Sequence, residues 1–404
     1  MINRTGIREK GVVEGFYGRV WNQQEREAFI SFLRPYGLNT YLYAPKHEAA
    51  LGTDLLGPLG RESAEDLKRL AGFCAEQKIS LVPGLHLAPP LEPENPAHLA
   101  RLKDKVKALA DLGITRMAAL FDDIPVRAGS GTGHKLAGGQ ARAFEAAWQA
   151  LDQALPQQHQ TESRWWVCTS RYSLDPVIES EYGALEADYL PELNRLLPPE
   201  AAWLWTGPLV CSVEIAPEHL LTYQGEAGQT PGQAKGQRPI VLWDNYPVND
   251  AHMAGRLHLG PLSGRSPDLA SHLSGYVFNP LLQPALGGIP GATCLDWAND
   301  PGGYEPQAAW ERALAVLKKQ ASPEAVEAYR WLAMLADGGP MQKALPANLW
   351  PGSQEGALNA DVKGNERDKV ALMRRHLPPA MAGEAEPWLK GLELGNQHPI
   401  QETK

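Results

Sequence analysis

Ile79-Ser-Leu-Val-Pro-Gly-Leu85, Leu99-Ala-Arg-Leu-Lys-Asp-Lys-Val-Lys-Ala-Leu-Ala-Asp-Leu-Gly113 and Arg116-Met-Ala-Ala-Leu-Phe121 make one strand–helix–strand unit, and its repetition decides the fold. The outer two segments are short apolar runs of strand length. Between them Leu99, Leu102, Val106 and Leu109 recur at helical spacing until Gly113 stops the turn. Strands joined through a helix pair in parallel, because a parallel pair needs a crossover of that length.

Working outward, similar β-rich runs stand at Gly11–Phe16, Leu38–Tyr43, Trp165–Thr169, Ala202–Trp205, Pro239–Trp243 and Gly275–Phe278, with Ala292–Leu295 as a further candidate. Asn22 with Glu25 reads as a cap and reciprocal partner before Ala28, Phe29, Phe32 and Leu33. Ser63 with Asp66 reads the same way before Leu67, Leu70, Ala71 and Cys74, and Phe144, Trp148 and Leu151 continue the helical pattern. About eight such units in ~300 residues predict an α/β fold, a (β/α)8 TIM-type barrel over residues 1–309. After Trp310, Ala308–Lys319, Pro323–Leu335 and Asn365–His376 have helical spacing, so 310–404 reads as a helical C-terminal appendage with a polar, poorly ordered tail. The Gly/Pro-rich segment 225–236 reads as an exposed loop.

The chain has 404 residues, 43% of them hydrophobic, and a formal charge of −9. No basic run is present, which argues against nucleic-acid or anionic-membrane partners, since phosphates demand a basic face. Cys74, Cys168, Cys211 and Cys294 lie far apart and read as reduced thiols of a cytoplasmic protein. Met1–Lys10 lacks an apolar core of the kind a secretion signal carries, and no stretch approaches membrane-spanning length.

The sharpest chemical feature is Phe121-Asp122-Asp123-Ile124, at the end of the fourth strand. Barrel enzymes build their sites at strand C-termini. Adjacent carboxylates raise each other's pKa unless partnered, and consecutive strand residues face opposite sides. Both therefore face one ligand only if the backbone turns at the strand end, as Pro125 suggests; the competing reading is an Asp pair capping a turn. Other strand ends add Tyr43-Ala-Pro-Lys46, Ser170-Arg-Tyr172, Trp243-Asp-Asn245 with Asn249-Asp250, and Phe278-Asn279. Planar hydrogen-bonding groups beside Trp suit a sugar, whose hydroxyls they fix while the aromatic covers its apolar face. The loop Gly129-Ser-Gly-Thr-Gly-His-Lys135 lacks the spacing of a phosphate loop and reads as a loop over the barrel mouth. The histidines offer no metal spacing, and no nucleophile elbow is present.

Several blocks in one order, Gly11-Val-Val-Glu-Gly-Phe-Tyr-Gly-Arg19, Gly37-Leu-Asn-Thr-Tyr-Leu-Tyr-Ala-Pro-Lys46, Phe121-Asp-Asp-Ile124, Trp205-Thr-Gly-Pro208, Trp243-Asp-Asn-Tyr-Pro-Val-Asn-Asp250, Leu259-Gly-Pro261 and Asn279-Pro280, resemble glycoside hydrolase family 84. That is the family of O-GlcNAcases and related bacterial β-N-acetylglucosaminidases. The resemblance fades near Trp310; Val20 stands where the family commonly has Pro, and His47 where it has an acidic residue. It implies a retaining, substrate-assisted exo-β-N-acetylglucosaminidase that needs no cofactor or metal and acts on a GlcNAc-bearing glycoside or glycoprotein. It further implies that Asp122 orients the acetamido group and Asp123 is the general acid/base. Asp250 and Asn279 would hold the outer hydroxyls, Lys46 and the Gly15 backbone would line the pocket, Tyr172 and Asn245 would contact the acetamido group or stabilise the intermediate, and Trp243 would wall the site.

The chemistry is consistent with that implication. The acetamido carbonyl oxygen of such a sugar attacks C1 from within the substrate, with the large effective molarity of an intramolecular step. One ionised carboxylate then balances the forming oxazoline and a second, protonated, donates to the leaving oxygen. An endo-acting hydrolase of chitin, hyaluronan or cell-wall glycan is the alternative enzyme reading, and a catalytically inactive sugar-binding barrel is the alternative outside catalysis.

Overall fold

The computed structural model describes residues 6–126, 133–155, 165–229, 237–336 and 366–393. Eight parallel strands close into a barrel in chain order: β1 (Glu9–Glu14), β2 (Thr40–Tyr43), β3 (Ser80–His86), β4 (Met117–Leu120), β5 (Trp165–Cys168), β6 (Ala202–Trp205), β7 (Ile240–Asp244) and β8 (Gly275–Phe278). The seam between β8 and β1 pairs Gly11 with Val277 and Val12 with Phe278. Each strand runs between helices: α1 (Gln23–Leu33), α2 (Arg61–Glu76), α3 (Pro96–Asp111), α4 (Gly133–Ala154), α5 (Pro176–Tyr182), α6 (Tyr189–Leu196), α7 (Pro217–Glu226) and α8 (Pro284–Asn299). The chain is therefore a (β/α)8 TIM-type barrel, and its C-terminal helices are α9 (Pro306–Gln320), α10 (Pro323–Ala336), α11 (Glu366–His376) and α12 (Pro379–Glu393).

Strand alternation sorts the core into two layers. Val13, Leu42, Val82, Ala118, Leu120, Trp166, Leu204, Val241 and Val277 fill the barrel interior. Val12, Tyr41, Met117, Ala119, Val167, Trp203, Leu242, Tyr276 and Phe278 face the helices. The capping box of α1 is present: Asn22 accepts from Glu25 N at 2.9 Å, and Glu25 accepts from Asn22 N at 2.7 Å. Gly113, at φ 88°, ends α3 in the left-handed conformation that glycine tolerates.

Three sequence expectations are corrected. α2 starts at Arg61 with Gly60 as its N-cap, so Ser63 lies within the first turn and does not cap it. The ninth strand candidate, Ala292–Leu295, belongs to α8. That helix is apolar on all sides because it is packed between α1, α9 and α12, so no stripe marks it as a helix. Past His376 the expected tail is a helix as far as Glu393, with Met381, Ala385, Trp388, Leu389 and Leu392 buried. The segments 129–132, 230–236 and 394–404 lie outside the described residues.

Candidate active site

At the C-terminal mouth of the barrel, Gly15, Lys46, Asp122, Asp123, Tyr172, Trp243, Asn245, Asp250 and Asn279 all line one cavity of about 200 Å3. That is smaller than the roughly 300–1,000 Å3 of drug-sized sites and is suited to a single small ring. All nine residues singled out in the sequence thus meet.

The end of β4 shows how adjacent aspartates come to share it. Ala118 and Leu120 point inward and Met117 and Ala119 outward, so alternation carries Asp122 inward and would carry Asp123 away. At Asp123 the backbone instead turns left-handed, with φ 59°. The turn returns its carboxylate to the cavity, where Tyr17 and Tyr172 each donate a hydroxyl to it at 2.8 Å.

Lys46, from the end of β2, joins the pair: its ammonium contacts Asp122 Oδ2 and lies 3.1 Å from Asp123 Oδ2. Burial disfavours the Lys46 charge, but the two carboxylates outweigh it and push the ammonium well above its ordinary pKa. Asp123 shows the reverse balance. Burial is the largest influence and raises its pKa, yet Lys46, Tyr17 and Tyr172 together bring it below the ordinary carboxylate value. The two aspartates differ in their remaining capacity. Asp123 has both oxygens engaged, whereas Asp122 Oδ1 is buried with no hydrogen-bond partner among the described residues. Such an acceptor is costly unless a ligand donor satisfies it.

Across the cavity, Asp250 Oδ2 accepts the Tyr17 amide at 2.7 Å, and burial raises its pKa. Asn245 Oδ1 accepts from Trp243 Nε1 at 2.9 Å and from Asn279 Nδ2 at 3.0 Å, while its own amide donates to Val210 O at 2.8 Å. Asn279 Oδ1 is a second buried acceptor without a partner among the described residues. Gly15 admits the Trp243 ring, since a β-carbon there would collide with it, 2.7 Å from Cη2.

Sequence reasoning missed Tyr17, whose ring also lies 5.2 Å from the Lys46 ammonium, and Tyr182 and Met253 on the cavity wall. Tyr17 stood two residues past Gly15 at a strand end, which was signal enough. Tyr182 closes α5, and nothing local marked it. Asp244, beside Trp243 in sequence, faces the other way and is buried against Arg265 and Tyr276. Among the described residues no group of three or more His, Cys, Asp or Glu is gathered as a metal site, and no helix is long and apolar enough to cross a membrane.

A barrel whose mouth holds two unlike carboxylates, a cation between them and an aromatic wall has the form of a glycoside hydrolase site. Comparison with known proteins agrees with this form. A family described as beta-N-acetylglucosaminidase matches residues 10–333. Protein O-GlcNAcase of Rattus norvegicus is 30% identical over 273 residues, which cover 67% of this chain and 28% of that protein. The Mus musculus protein is 29% identical over the same length. This chain therefore spans 28% of the length of these relatives. The solved structure of a mutant O-GlcNAc hydrolase of Thermobaculum terrenum superposes with a TM-score of 0.76 at 27% identity, covering 96% of this chain and 82% of that one. The chain belongs to the beta-N-acetylglucosaminidase family, glycoside hydrolase family 84.

Proposed function

We propose that this chain removes terminal β-linked N-acetylglucosamine by substrate-assisted, retaining hydrolysis. O-GlcNAc on proteins is within its substrate range, as the names of its relatives suggest. The observation that carries the reading is the contrast within the pair: Asp122 offers a buried, unpartnered oxygen, while Asp123 is held by three donors.

Asp122 Oδ1 accepts the acetamide N–H and steers the carbonyl oxygen onto C1. The carboxylate then balances the positive charge of the oxazoline as the glycosidic bond breaks. Asp123 protonates the leaving oxygen and afterwards takes a proton from the water that opens the oxazoline. With Lys46, Tyr17 and Tyr172 against it, Asp123 favours its ionised form. The acid role therefore requires the incoming sugar to draw Lys46 and the tyrosyl hydroxyls away, so that burial, the largest influence on Asp123, raises its pKa. Asp250 and Asn279 grip the outer hydroxyls, which favours exo action because a chain extended there would meet them. Residues 1–309 would form the catalytic unit and 310–404 the helical region that supports it.

Hydrolysis of an aryl β-GlcNAc alongside an aryl β-GlcNAc-β-GlcNAc tests the reading, with proton NMR of the first product. Release of β-GlcNAc from the shorter substrate is expected. Cleavage of the longer substrate alone would favour the endo alternative, and an initial α-anomer would exclude retention.

A further inference from the structure

The C-terminal helices reach the substrate loops directly. α8 starts five residues after Asn279, and its first turn lacks a cap of its own: Gln283 makes no capping bond and Pro284 has no N–H. The free amides of Ala285 and Leu286 donate instead to Glu384 of α12, at 3.0 and 2.8 Å, across nearly a hundred residues of chain. One turn further along α12, buried Trp388 donates its indole N–H to Gly255 O at 2.7 Å. Gly255 lies in the β7–β8 connection, five residues past Asp250. Residues four apart share a helix face, so one face of α12 holds both loops.

Asn249 clasps the same two loops to each other. Its Oδ1 accepts Leu282 N at 3.0 Å, and its Nδ2 donates to Gln283 Oε1 at 2.9 Å and to Arg256 O at 2.7 Å. The clasp fixes the loops where they touch, and α12 fixes them from behind.

We infer that Glu384 and Trp388 are positioning residues of the active site, setting the separation of Asp250 and Asn279 and hence the grip on the outer hydroxyls of the sugar. The inference rests on the roles given to Asp250 and Asn279 above. A carboxylate accepting two amides at a helix N-terminus is a strong, directional tether, favoured by charge and by the helix dipole. Burial nevertheless pushes the Glu384 carboxyl up to about 7, against the two amides, so the tether is kept despite a desolvation cost. The appendage is thereby joined to the site through two named side chains.

The test compares Glu384→Ala, Glu384→Gln and Trp388→Phe on an aryl β-GlcNAc and on its 4,6-dideoxy analogue. On the full sugar, Glu384→Ala and Trp388→Phe are expected to raise KM roughly five- to tenfold, the scale of one lost cap or buried hydrogen bond, with kcat within about twofold. On the dideoxy sugar the factor should shrink towards one, because the hydroxyls that read the loop spacing are gone. Glu384→Gln, which keeps one amide oxygen as acceptor, should recover most of the loss. A variant with lower Tm but unchanged KM would make the cap merely structural and overturn the inference, as would an equal KM rise on both sugars. If the wild-type chain fails to cleave either glycoside, the proposed function falls, and amide hydrogen exchange of Glu384→Ala then decides the tether by itself. Faster exchange in both 279–286 and 249–257 supports it, and faster exchange confined to Ala285 and Leu286 refutes it.

Discussion

Replacing Lys46 by Met removes the cation that Asp122 and Asp123 share while keeping a side chain of similar length. The ammonium lies 3.1 Å from Asp123 Oδ2, and at an effective dielectric near 20 such a pair is worth about 5 kcal/mol. Relaxation and water entry return much of that, so the loss of Lys46 raises the Asp123 pKa at a net cost of a few kcal/mol. With Lys46 present, Asp123 sits below its ordinary value, so its ionisation contributes stability above the unfolded carboxylate pKa, lost as pH falls through the folded value. Without Lys46, burial dominates and the sign reverses: the contribution is present at low pH and lost as pH rises. The Tm gap between wild type and Lys46→Met should therefore widen from about pH 4 to about pH 7, by a few kcal/mol in stability. The alkaline limb of kcat/KM, which reports the free enzyme, should move to higher pH in the variant. A constant Tm gap with an unmoved limb would refute the assignment of Lys46 as the cation that sets the pair.

The two aspartates separate in a leaving-group series of aryl β-GlcNAc substrates: log(kcat/KM) should fall more steeply with phenol pKa in Asp123→Ala, because a good leaving group needs no acid, while Asp122→Asn is slow throughout with a slope near wild type. A steep slope in Asp122→Asn instead would reverse the roles. Gly15→Ala should cost about 1–3 kcal/mol in stability and weaken GlcNAc binding, since the new methyl displaces the Trp243 ring into the cavity; calorimetry showing both unchanged would remove Gly15 from the pocket wall.

The barrel was legible because each strand run ended in punctuation before a helical stripe, and β6 and β8 fall on the residues the sequence marked. The site was legible for the same reason, since barrel topology gathers strand ends, so Lys46, Tyr172 and Asn279 converge without any sequence proximity. α8 and α12 were not legible. The first is buried on every side and carries Gly287, Gly288, Pro290 and Gly291, which punctuate like strand and turn. The second has Gly383 and Pro387 within it, and it owes its apolar face to a partner that sequence spacing does not name. The outward orientation of Asp244 follows from alternation after inward Trp243, but its partner Arg265, about twenty residues on, was invisible locally.

The left-handed backbone at Asp123 bears on how this chain can change over evolutionary time. Most side chains lose about 1–2 kcal/mol in that conformation, and Asn and Asp lose least. The gentlest replacement at this position is therefore Asn, which keeps shape and backbone but gives up the proton. A lineage could pass from hydrolase to lectin through one isosteric exchange that keeps this turn, at the cost of one acceptor for the donors around it. Telling the two apart would then come down to a single amide in place of a carboxyl.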